Sequence, residues 1–448
     1  MLGISGLSAG AGDANADKLG STLTPLGGDR SASTDVPAWE GASKPAAGWT
    51  PGKPREASWN HKDEKPLYSI DAGSADKHAS QLTPGQMHLL KHSAGYRMDV
   101  YPSHRNCTAP DFVIENTKRN AAGAAKLSAD GDTLLQAALP GVPFPVPTAG
   151  VQAIWNFQLR YGGVGADYQN AVTLVSPRTG SNTWITVEAP QHQYFPWGAK
   201  GTHSPADTGD LLFATYYAIR SPAALAGQAL VAKVSFGSHD AEVNYYFPGQ
   251  RRVRRMPAYG YDSPQIGYEN QYTIDQTQMF TGNVDRFDWK LVGKKEILVP
   301  YNTFRQLDFD ARREDVYGAT AINPAYRRYE LHRVWVVEAT VKKGMRHLAP
   351  RKVFYFDEDS WQILVGEDYD GQGNLWKVRE ASLLPAWELG SACESSTFVQ
   401  YDVLQNRYLV DFTVVGTGKD VRWLMETNDK RFTNDFFTAD NLRSISER

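Results

Sequence analysis

Hydrophobic and polar residues alternate with a period of two along most of the chain beyond residue 168. Such alternation, rich in Val, Tyr, Phe, Thr and Trp, is typical of β-strands in a packed sheet. It predicts strands over 170–176, 182–189, 210–219, 228–236, 241–247, 288–300, 329–341, 352–357, 361–366, 374–380, 397–403 and 407–415. Because short turns separate these strands, we expect antiparallel neighbours in one large curved sheet.

Helix signals precede the strands. Thr83 followed by Pro84 marks the start of a helix over 83–92, because Thr caps a helix and Pro suits its first position. Two more helices are predicted over 111–127, which contains an Ala-rich stretch, and over 149–159. Helices that cluster before a sheet indicate an α+β fold. We expect all three helices on the concave side of the sheet.

One predicted strand shows that the sheet has two apolar faces. In 330–340, Leu331 and Val337 fall on one face and Val334 and Val336 fall on the other, with charged residues on both. A sheet with apolar side chains on both faces is covered on both faces. We expect this cover to be helices or a bound apolar ligand.

The chain before the first predicted helix lacks a periodic pattern. Residues 17–82 are rich in Gly, Pro and Ser, and Trp39, Trp49 and Trp59 are spaced ten apart. Because proline interrupts helices, this segment is predicted to be an extended arm. Residues 83–448 are then expected to form a single α+β domain.

The N-terminal residues and the cysteines bear on the compartment. Residues 1–16 combine a short apolar run with 14–16 (ANA), a form that signal peptidase accepts, and we interpret them as the remnant of an export signal. The alternative, a flexible start to a cytosolic protein, stays open. Cys107 and Cys393 form a possible disulfide after export, whereas they would be reduced in the cytosol.

Composition and charge argue against two classes of function. The chain has 448 residues, with 47 Lys and Arg against 50 Asp and Glu, and its formal net charge is −3. Nucleic-acid binders usually carry a strongly basic face, so a nucleic-acid partner is not expected. No apolar run approaches the roughly 18–20 residues that a membrane-spanning helix needs. The protein is therefore not expected to be integral to a membrane.

Catalytic and metal-binding motifs are scarce. The chain contains no Walker loop, H-E-x-x-H motif or kinase signature, so we expect a protein that is not an enzyme and has no cofactor. His88 and His92 have a spacing that suits a metal on one helix, but without a third ligand we interpret them as solvent-facing. Asp357, Glu358 and Asp359 are predicted to lie in a solvated hairpin turn rather than in a catalytic cleft. No metal site is predicted.

Arginines and aromatic residues supply the candidate binding site. The run 251–255 (RRVRR) places arginines on both faces of a strand, where they would bind an anionic headgroup or pair with Asp288, Glu296 or Glu338. The aromatic residues are either ordinary sheet core or the lining of a hydrophobic site on the concave face. The candidate ligand-binding residues are Trp155, Tyr245, Phe247, Arg252, Arg254, Trp289, Trp335, Phe354 and Trp361.

Several short stretches along the chain resemble one protein family. They are 23–27 (LTPLG), 36–39 (VPAW), 101–105 (YPSHR), 141–147 (GVPFPVP), 154–156 (IWN), 247–255 (FPGQRRVRR), 288–295 (DWKLVGKK), 329–338 (YELHRVWVVE), 357–361 (DEDSW) and 437–442 (FTADNL). The family consists of Gram-negative periplasmic proteins of unassigned function and is classed near the outer-membrane lipoprotein carriers LolA and LolB. The resemblance implies a soluble periplasmic protein with their fold, a half-open antiparallel β-barrel wrapped around a helical plug.

The resemblance also implies partners and a function. Members of the family are often encoded beside resistance-nodulation-division exporters and an outer-membrane protein, which implies work in the traffic of lipids or hydrophobic compounds. We therefore predict a periplasmic carrier or accessory protein for a hydrophobic ligand such as a lipid or acyl chain. A scaffold that binds only protein partners is the first alternative, and a hydrolase of envelope lipid or glycan is the second.

Overall fold

The structure is a computed structural model of the chain, and it describes residues 15–237, 241–257 and 259–447. The predicted remnant of an export signal, 1–16, lies outside the described residues except for its last two positions. The helices of the described ranges are α1 (Pro84–His92), α2 (Asp111–Arg119), α3 (Gly150–Gln158), α4 (Arg313–Val316) and α5 (Ala439–Ser446).

The strands outnumber the helices and dominate the fold. They are β1 (Tyr68–Ile70), β2 (Met98–Val100), β3 (Lys126–Leu127), β4 (Leu134–Gln136), β5 (Gly165–Val175), β6 (Ile185–Tyr194), β7 (Leu211–Ala218), β8 (Ala229–Ser235), β9 (Glu242–Phe247), β10 (Arg252–Arg255), β11 (Phe287–Pro300), β12 (Tyr329–Val341), β13 (Arg351–Asp357), β14 (Ile363–Tyr369), β15 (Leu375–Ala386), β16 (Ala392–Asp402), β17 (Arg407–Thr413) and β18 (Arg422–Leu424). Every strand predicted from the alternation is present, and several are longer than predicted.

One large sheet contains all of these strands except β3 and β4, which pair with each other. Strands β11 to β17 follow one another in chain order, β17 then pairs with β5, and β5 to β10 continue the sheet. The pairs are antiparallel apart from one parallel contact between Val100 of β2 and Tyr329 of β12. The predicted large antiparallel sheet is therefore present, and it consists of two meanders joined side by side through β17 and β5. Within the described ranges no strand pair joins the two ends of the sheet, so the sheet is open.

The second predicted helix is shorter than expected. Helix α2 ends at Arg119, and a single π-helical turn over Asn120–Ala124 follows it. Gly123 has a φ of 105°, which a helix cannot continue through. The Ala-rich stretch therefore forms a turn into β3 instead of extending the helix to residue 127.

One face of the sheet packs against α3, and we call it the α3 face. Ile154 of α3 belongs to the same hydrophobic core as Val337 of β12 and Phe354 of β13. Gly150 allows α3 to approach the sheet closely, because a Cβ at this position would lie 2.7 Å from the backbone of Trp289. The helix thus covers the strands at the β11 end of the sheet.

The opposite face packs against α1, and we call it the α1 face. Leu89 of α1 shares a hydrophobic core with Val378 of β15, and the Gly85 N–H donates to Oε1 of Glu367 over 2.6 Å. Val113 of α2, in contrast, belongs to the core of the α3 face. The expectation that all three helices lie on one side is therefore wrong for α1. The reason is that both faces of the sheet carry apolar side chains, so each face needs its own cover.

The irregular segment before β1 is joined to the rest of the chain by buried polar contacts. Arg55 forms ion pairs with Glu388 at 2.6 Å and with Asp420 at 2.9 Å. Further along, Cys107 is joined to Cys393 of β16 by a disulfide that spans 286 positions of the sequence. The pairing that the sequence left open is therefore formed in the structure. It attaches the chain just before α2 to the sheet.

The acidic turn between β13 and β14 is buried. Asp357, Glu358 and Asp359 are each at most 1% exposed. Arg105 pairs with Glu358 at 2.9 Å and with Asp359 at 2.8 Å, and Nζ of Lys294 lies 2.7 Å from Glu358. The prediction of a solvated hairpin turn is therefore wrong. The segment before α2 covers the turn and supplies Arg105 as the counter-charge that buried carboxylates require.

Candidate ligand-binding site

A cavity lies on the α3 face over β6, β7, β8 and β9, and residues 259–283, which we call the strap, cover it. The volume that the centre of a water molecule can reach in this cavity is about 110 Å³. The lining includes Gln191, Gln193, Phe213, Thr215, Tyr217, Leu230, Ala232, Val234 and Val243 from the strands and Tyr259, Tyr261, Gln265, Ile274, Thr277, Gln278 and Thr281 from the strap. The strands thus form one wall of the cavity and the strap forms the other.

Strand pairing brings the wall residues together. Gln193 of β6 is opposite Thr215 of β7, and Thr215 is opposite Ala232 of β8. Residues that are directly opposite on antiparallel strands project from the same face of the sheet. Two positions along, Gln191 is opposite Tyr217 on the same face. The period of two in the sequence therefore produces a continuous wall of amide, hydroxyl and aliphatic groups.

The polar groups of the cavity are amides and hydroxyls. Nε2 of Gln191 donates to Oγ1 of Thr215 over 3.1 Å, and Nε2 of Gln278 donates to Oε1 of Gln193 over 3.3 Å. None of the described residues that line the cavity is acidic or basic. A ligand that suits these walls is apolar over most of its surface and carries uncharged hydrogen-bonding groups.

Tyrosine hydroxyls at the cavity remain protonated. Burial raises the pKa of Tyr217 well above its usual range. Burial and the neighbouring carboxylate of Asp285, which accepts a hydrogen bond from Tyr261 over 2.9 Å, raise the pKa of Tyr261 to about 12. A protonated phenol donates or accepts a hydrogen bond without adding charge. The tyrosines therefore leave the cavity uncharged in the neutral pH range.

Two smaller cavities continue the central one beneath the strap. Measured in the same way, one of about 50 Å³ extends toward β5 and β17, and one of about 30 Å³ extends toward the end of α3. The former shares with the central cavity Gln191, Tyr217, Gln265 and Thr277. The latter shares with it Phe213, Gln278, Thr281 and Gly282. The three cavities therefore form a row with common walls.

Buried charges hold the middle of the strap on the sheet. Oδ2 of Asp275 lies 3.0 Å from Nζ of Lys352 and 3.0 Å from Nε2 of His347. Nε2 of Gln276 donates to Oδ2 of Asp368 over 2.7 Å. Burial opposes the charged form of Asp275, but Lys352 and His347 outweigh this and hold its pKa well below its usual range. The carboxylate therefore stays ionised, and its attraction to Lys352 fixes the strap.

The strap has a strained backbone beside the cavity. Gln278 and Met279 are consecutive residues in the left-handed region, with φ values of 48° and 74°. For residues other than glycine this conformation costs roughly 1 kcal/mol or more per residue. The side chain of Gln278 lines the cavity. The anchors around Asp275 thus keep the strap in a conformation that its own backbone disfavours.

Five of the predicted ligand-binding residues lie in or against the packed core of the α3 face. They are Trp155, Trp289, Trp335, Phe354 and Trp361. Nε1 of Trp155 donates to the carbonyl oxygen of Gly131 over 3.0 Å, and Nε1 of Trp361 donates to that of Leu26 over 2.8 Å. None of the five lines the cavity under the strap. At these positions the aromatic side chains pack against protein.

The other four predicted residues lie together at the edge of the sheet, beside the cavity. Phe247 of β9 is opposite Arg252 of β10, and Tyr245 is opposite Arg254, so the four side chains project from one face. Tyr245 packs in the same cluster as Val243, which lines the cavity. The aromatic pair thus borders the cavity, and the two arginines are exposed at its outer side.

The ion pairs considered for the arginine run are not formed. β10 is the last strand at one end of the sheet, whereas Asp288, Glu296 and Glu338 lie on β11 and β12 at the other end. Glu338 pairs with Arg351 instead, at 2.8 Å. Strand order decides which charges meet, and the spacing of arginines along the chain carries no information on that order.

Sequence patterning missed the polar groups of the cavity wall. The strand prediction ended at residue 189, whereas β6 continues to Tyr194 and carries Gln191 and Gln193 on the wall. One signal could have extended the predicted strand. Gln191 and Gln193 are polar residues at every second position, which continues the period of two of β6 on one face. The strap has no such period, so spacing alone could not find its contribution.

Among the described residues, no helix combines the length and the apolar character that crossing a membrane requires.

Comparison with known sequences gives two matches over most of the chain. The family model described as "Protein of unknown function (DUF1329)" matches residues 69–443. The chain is also 36% identical over 399 residues to the uncharacterized protein PA3922 of Pseudomonas aeruginosa, a match that covers 88% of this chain and 86% of that one.

Two solved structures are similar to the chain at low sequence identity. One is a DUF1329 family protein from Desulfovibrio piger, with 14% identity, a TM-score of 0.39, and coverage of 62% of this chain and 92% of that one. The other is the LolA superfamily protein NE2245 from Nitrosomonas europaea, with 12% identity, a TM-score of 0.35, and coverage of 65% of this chain and all of that one. The family match over residues 69–443 and the sequence relative confirm the resemblance found along the chain. The chain belongs to the DUF1329 family of proteins of unknown function.

Proposed function

We propose that the protein is a periplasmic carrier or accessory protein that binds an uncharged, mainly apolar ligand in the cavity under the strap. The observation that carries this proposal is the cavity wall, which combines aliphatic and aromatic side chains with amides and hydroxyls and, in its described part, no charged group. Ligand pockets typically have an apolar wall and a few polar groups that orient the ligand. The amides of Gln191, Gln193 and Gln278 supply such groups here.

The row of cavities favours an elongated ligand. Burial of each CH₂ group contributes about 0.8 kcal/mol, so a chain of several such groups binds without a charged contact. The central cavity of about 110 Å³ holds part of such a chain, and the shared walls on either side lead to the smaller cavities. In this proposal the open sheet acts as the half-open barrel that the family resemblance implies, with α3 and the strap on its inner side.

We also propose that the protein is not an enzyme. The cavity wall offers amides, hydroxyls and apolar groups, and this set suits binding rather than acid–base chemistry. A role beside a resistance-nodulation-division exporter and an outer-membrane protein stays a prediction from the family resemblance. The scaffold that binds only protein partners is the alternative that the experiment below separates from the carrier.

Native mass spectrometry of protein purified from its own periplasm, followed by organic extraction, tests the proposal. We expect a stoichiometric apolar compound in the wild-type protein and in Lys233→Phe, and little of it in Ala232→Phe. Ala232 lines the cavity, so a phenyl ring at this position fills it. Lys233 is the next residue of β8 and projects from the opposite face, which makes it the matched control.

Two outcomes would contradict the carrier. A wild-type protein that carries nothing, even after incubation with envelope lipids, would favour the scaffold. A ligand bound equally by both phenylalanine variants would lie outside the cavity. Circular dichroism and the urea midpoint of Ala232→Phe establish that the variant is folded, so that a loss of ligand reports on the cavity.

A further inference from the structure

Four polar side chains meet where the N-terminal segment contacts the chain between β2 and α2. Atoms of Glu40, His61 and His104 that can bind a metal all lie within 4.8 Å of one another. The ring centroids of His61 and His104 are 3.7 Å apart, and Glu64 contacts both rings. Glu40, His61 and His104 are separated from one another by tens of positions in the sequence, so no spacing rule singles them out.

Glu64 orients both imidazoles. Its Oε1 lies 3.1 Å from Nδ1 of His61 and 2.8 Å from Nε2 of His104, and its Oε2 accepts from Nη2 of Arg328 over 2.7 Å. When both rings donate to Glu64, Nε2 of His61 carries a free lone pair, whereas Nδ1 of His104 donates to Glu40 and becomes a ligand when an ion displaces its proton. Nδ1 of His104 lies 3.2 Å from Oε1 of Glu40. Glu64 has the role of an outer carboxylate, which accepts a hydrogen bond from the imidazole nitrogen that does not bind the metal and is a regular feature of protein metal sites.

We propose that His61, His104 and Glu40 bind a divalent transition-metal ion of the zinc class, and that Glu64 is the outer carboxylate that positions the two histidines. Two imidazole nitrogens and one carboxylate oxygen are a donor set that zinc accepts, with water in a fourth position. Ligand atoms about 2.0–2.1 Å from a tetrahedral ion lie roughly 3.4 Å apart. The 3.2 Å between His104 and Glu40 is close to that separation.

The charges around the cluster also favour a divalent cation. Glu40, Glu64 and Glu330 supply three carboxylates, and Glu330 accepts from the backbone N–H of His104 over 2.8 Å. Arg328 supplies one guanidinium, which pairs with Glu64 at 2.7 Å and with Glu330 at 2.5 Å. Once an ion has displaced the proton from His104, three carboxylates and one guanidinium leave two negative charges. A divalent ion neutralises both.

The cluster is open to solvent on one side. The side chains of Glu40 and His61 are 41% and 37% exposed, whereas that of His104 is 11% exposed. An ion therefore enters from the side of Glu40 and His61, and His104 forms the inner wall. Nitrogen donors select against calcium and magnesium, which prefer oxygen ligands. None of these residues lines the cavity under the strap, so the metal site is independent of the proposed carrier function.

Titration calorimetry with ZnCl₂ on untagged, EDTA-treated protein at pH 8 tests the proposal. We expect one ion per chain in the wild type and affinities weaker by on the order of 100-fold in His61→Ala and Glu40→Gln. Glu64→Gln should weaken binding by about 10-fold, because it changes the orientation of the histidines and leaves the ligands in place. His88→Ala, which removes one histidine of the close His88 and His92 pair on α1, is the matched control and should bind as the wild type does.

A second measurement separates loss of the site from loss of the fold. An ion that binds only the folded protein raises Tm, so zinc should raise the Tm of the wild type and of His88→Ala but not that of His61→Ala. Cobalt substituted for zinc should give the visible absorption of a site with nitrogen ligands. Wild-type protein that binds no zinc, or that binds it no more tightly than His61→Ala, would overturn the proposal and leave an ion-pair cluster only.

Discussion

Asp411 of β17 is an ionisable residue in the interior of the protein. It is 4% exposed and accepts hydrogen bonds from Oγ1 of Thr173 over 2.5 Å, from the Tyr272 hydroxyl over 3.1 Å and from the Phe412 N–H over 3.0 Å. Burial outweighs these hydrogen bonds and raises the pKa of Asp411 to about 6. Because Asp411 lines the smaller cavity near β5, its charge state changes the polarity of that end of the row.

The raised pKa of Asp411 makes the folded state bind a proton more tightly than the unfolded chain, whose aspartate has the ordinary value of 3.8. The stabilisation is complete below pH 3.8 and is lost as the pH rises through 6. Relative to Asp411→Asn, the free energy of unfolding of the wild type should therefore fall by about 2–3 kcal/mol between pH 4 and pH 8. Urea unfolding of both proteins at the two pH values measures this change.

The exposed Asp435→Asn is the control for Asp411. The free energy of unfolding of this variant should differ from that of the wild type by the same small amount at both pH values. If Asp411→Asn also differs by a constant amount, the buried carboxyl does not titrate between pH 4 and pH 8.

At the scale of the element, the strap depends on contacts that it makes far along the chain. Its backbone is strained at Gln278 and Met279, and its centre is held through Asp275 by Lys352 of β13. Six positions before Asp275, Glu269 pairs with Arg407 at 3.0 Å. The strap therefore has little regular structure of its own, and buried ion pairs determine where it lies.

Removal of the central anchor should release the strap. Asp275→Ala leaves the buried ammonium of Lys352 without this partner, which should lower the free energy of unfolding by about 3–5 kcal/mol. Hydrogen exchange followed by mass spectrometry should show that Asp275→Ala exchanges faster than the wild type in 259–283, with a smaller change in the strands beneath the strap.

The matched control within the strap is Glu269→Gln. Its side chain is 37% exposed, so the loss of its ion pairs should cost less than about 1 kcal/mol and leave hydrogen exchange in the strap unchanged. Equal effects of the two substitutions would show that Asp275 does not anchor the strap.

The elements that a sequence pattern can find and those that it cannot differ for a physical reason. The strands alternate because each packs apolar side chains on a face, and β12 has the bounds that this alternation predicts. The strap follows no period, because hydrogen bonds and ion pairs to distant strands hold it. Helix α1 contacts Glu367 and Val378, which are far from it in the sequence, so no local pattern identifies the face that it covers.

At the scale of the whole molecule, the disulfide is the strongest constraint between distant parts of the chain. It joins Cys107 to Cys393, which are 286 positions apart, and so links the segment before α2 to β16. A cross-link of this kind reduces the conformational freedom of the unfolded chain, and the reduction grows slowly with the length of the loop. The sequence allowed this pairing but also allowed two reduced cysteines.

Cys107→Ser combined with Cys393→Ser should lower the free energy of unfolding by about 2–5 kcal/mol. Urea unfolding of the wild type with dithiothreitol should give the same lower value, and the double variant should not respond to the reductant. An unfolding free energy that is the same with and without the disulfide would contradict a stabilising role.

The arginines of β10 have a consequence for how copies of the protein meet. Within the described ranges no strand pairs with the outer edge of β10, so its backbone N–H and C=O groups are a template on which a further strand could be added. Arg252, Arg254 and Arg255 are exposed along this edge. Like charges on two identical edges repel, and charged side chains on edge strands are a regular protection against growth of a sheet from molecule to molecule. The arginine run thus disfavours aggregation of the protein through its open sheet.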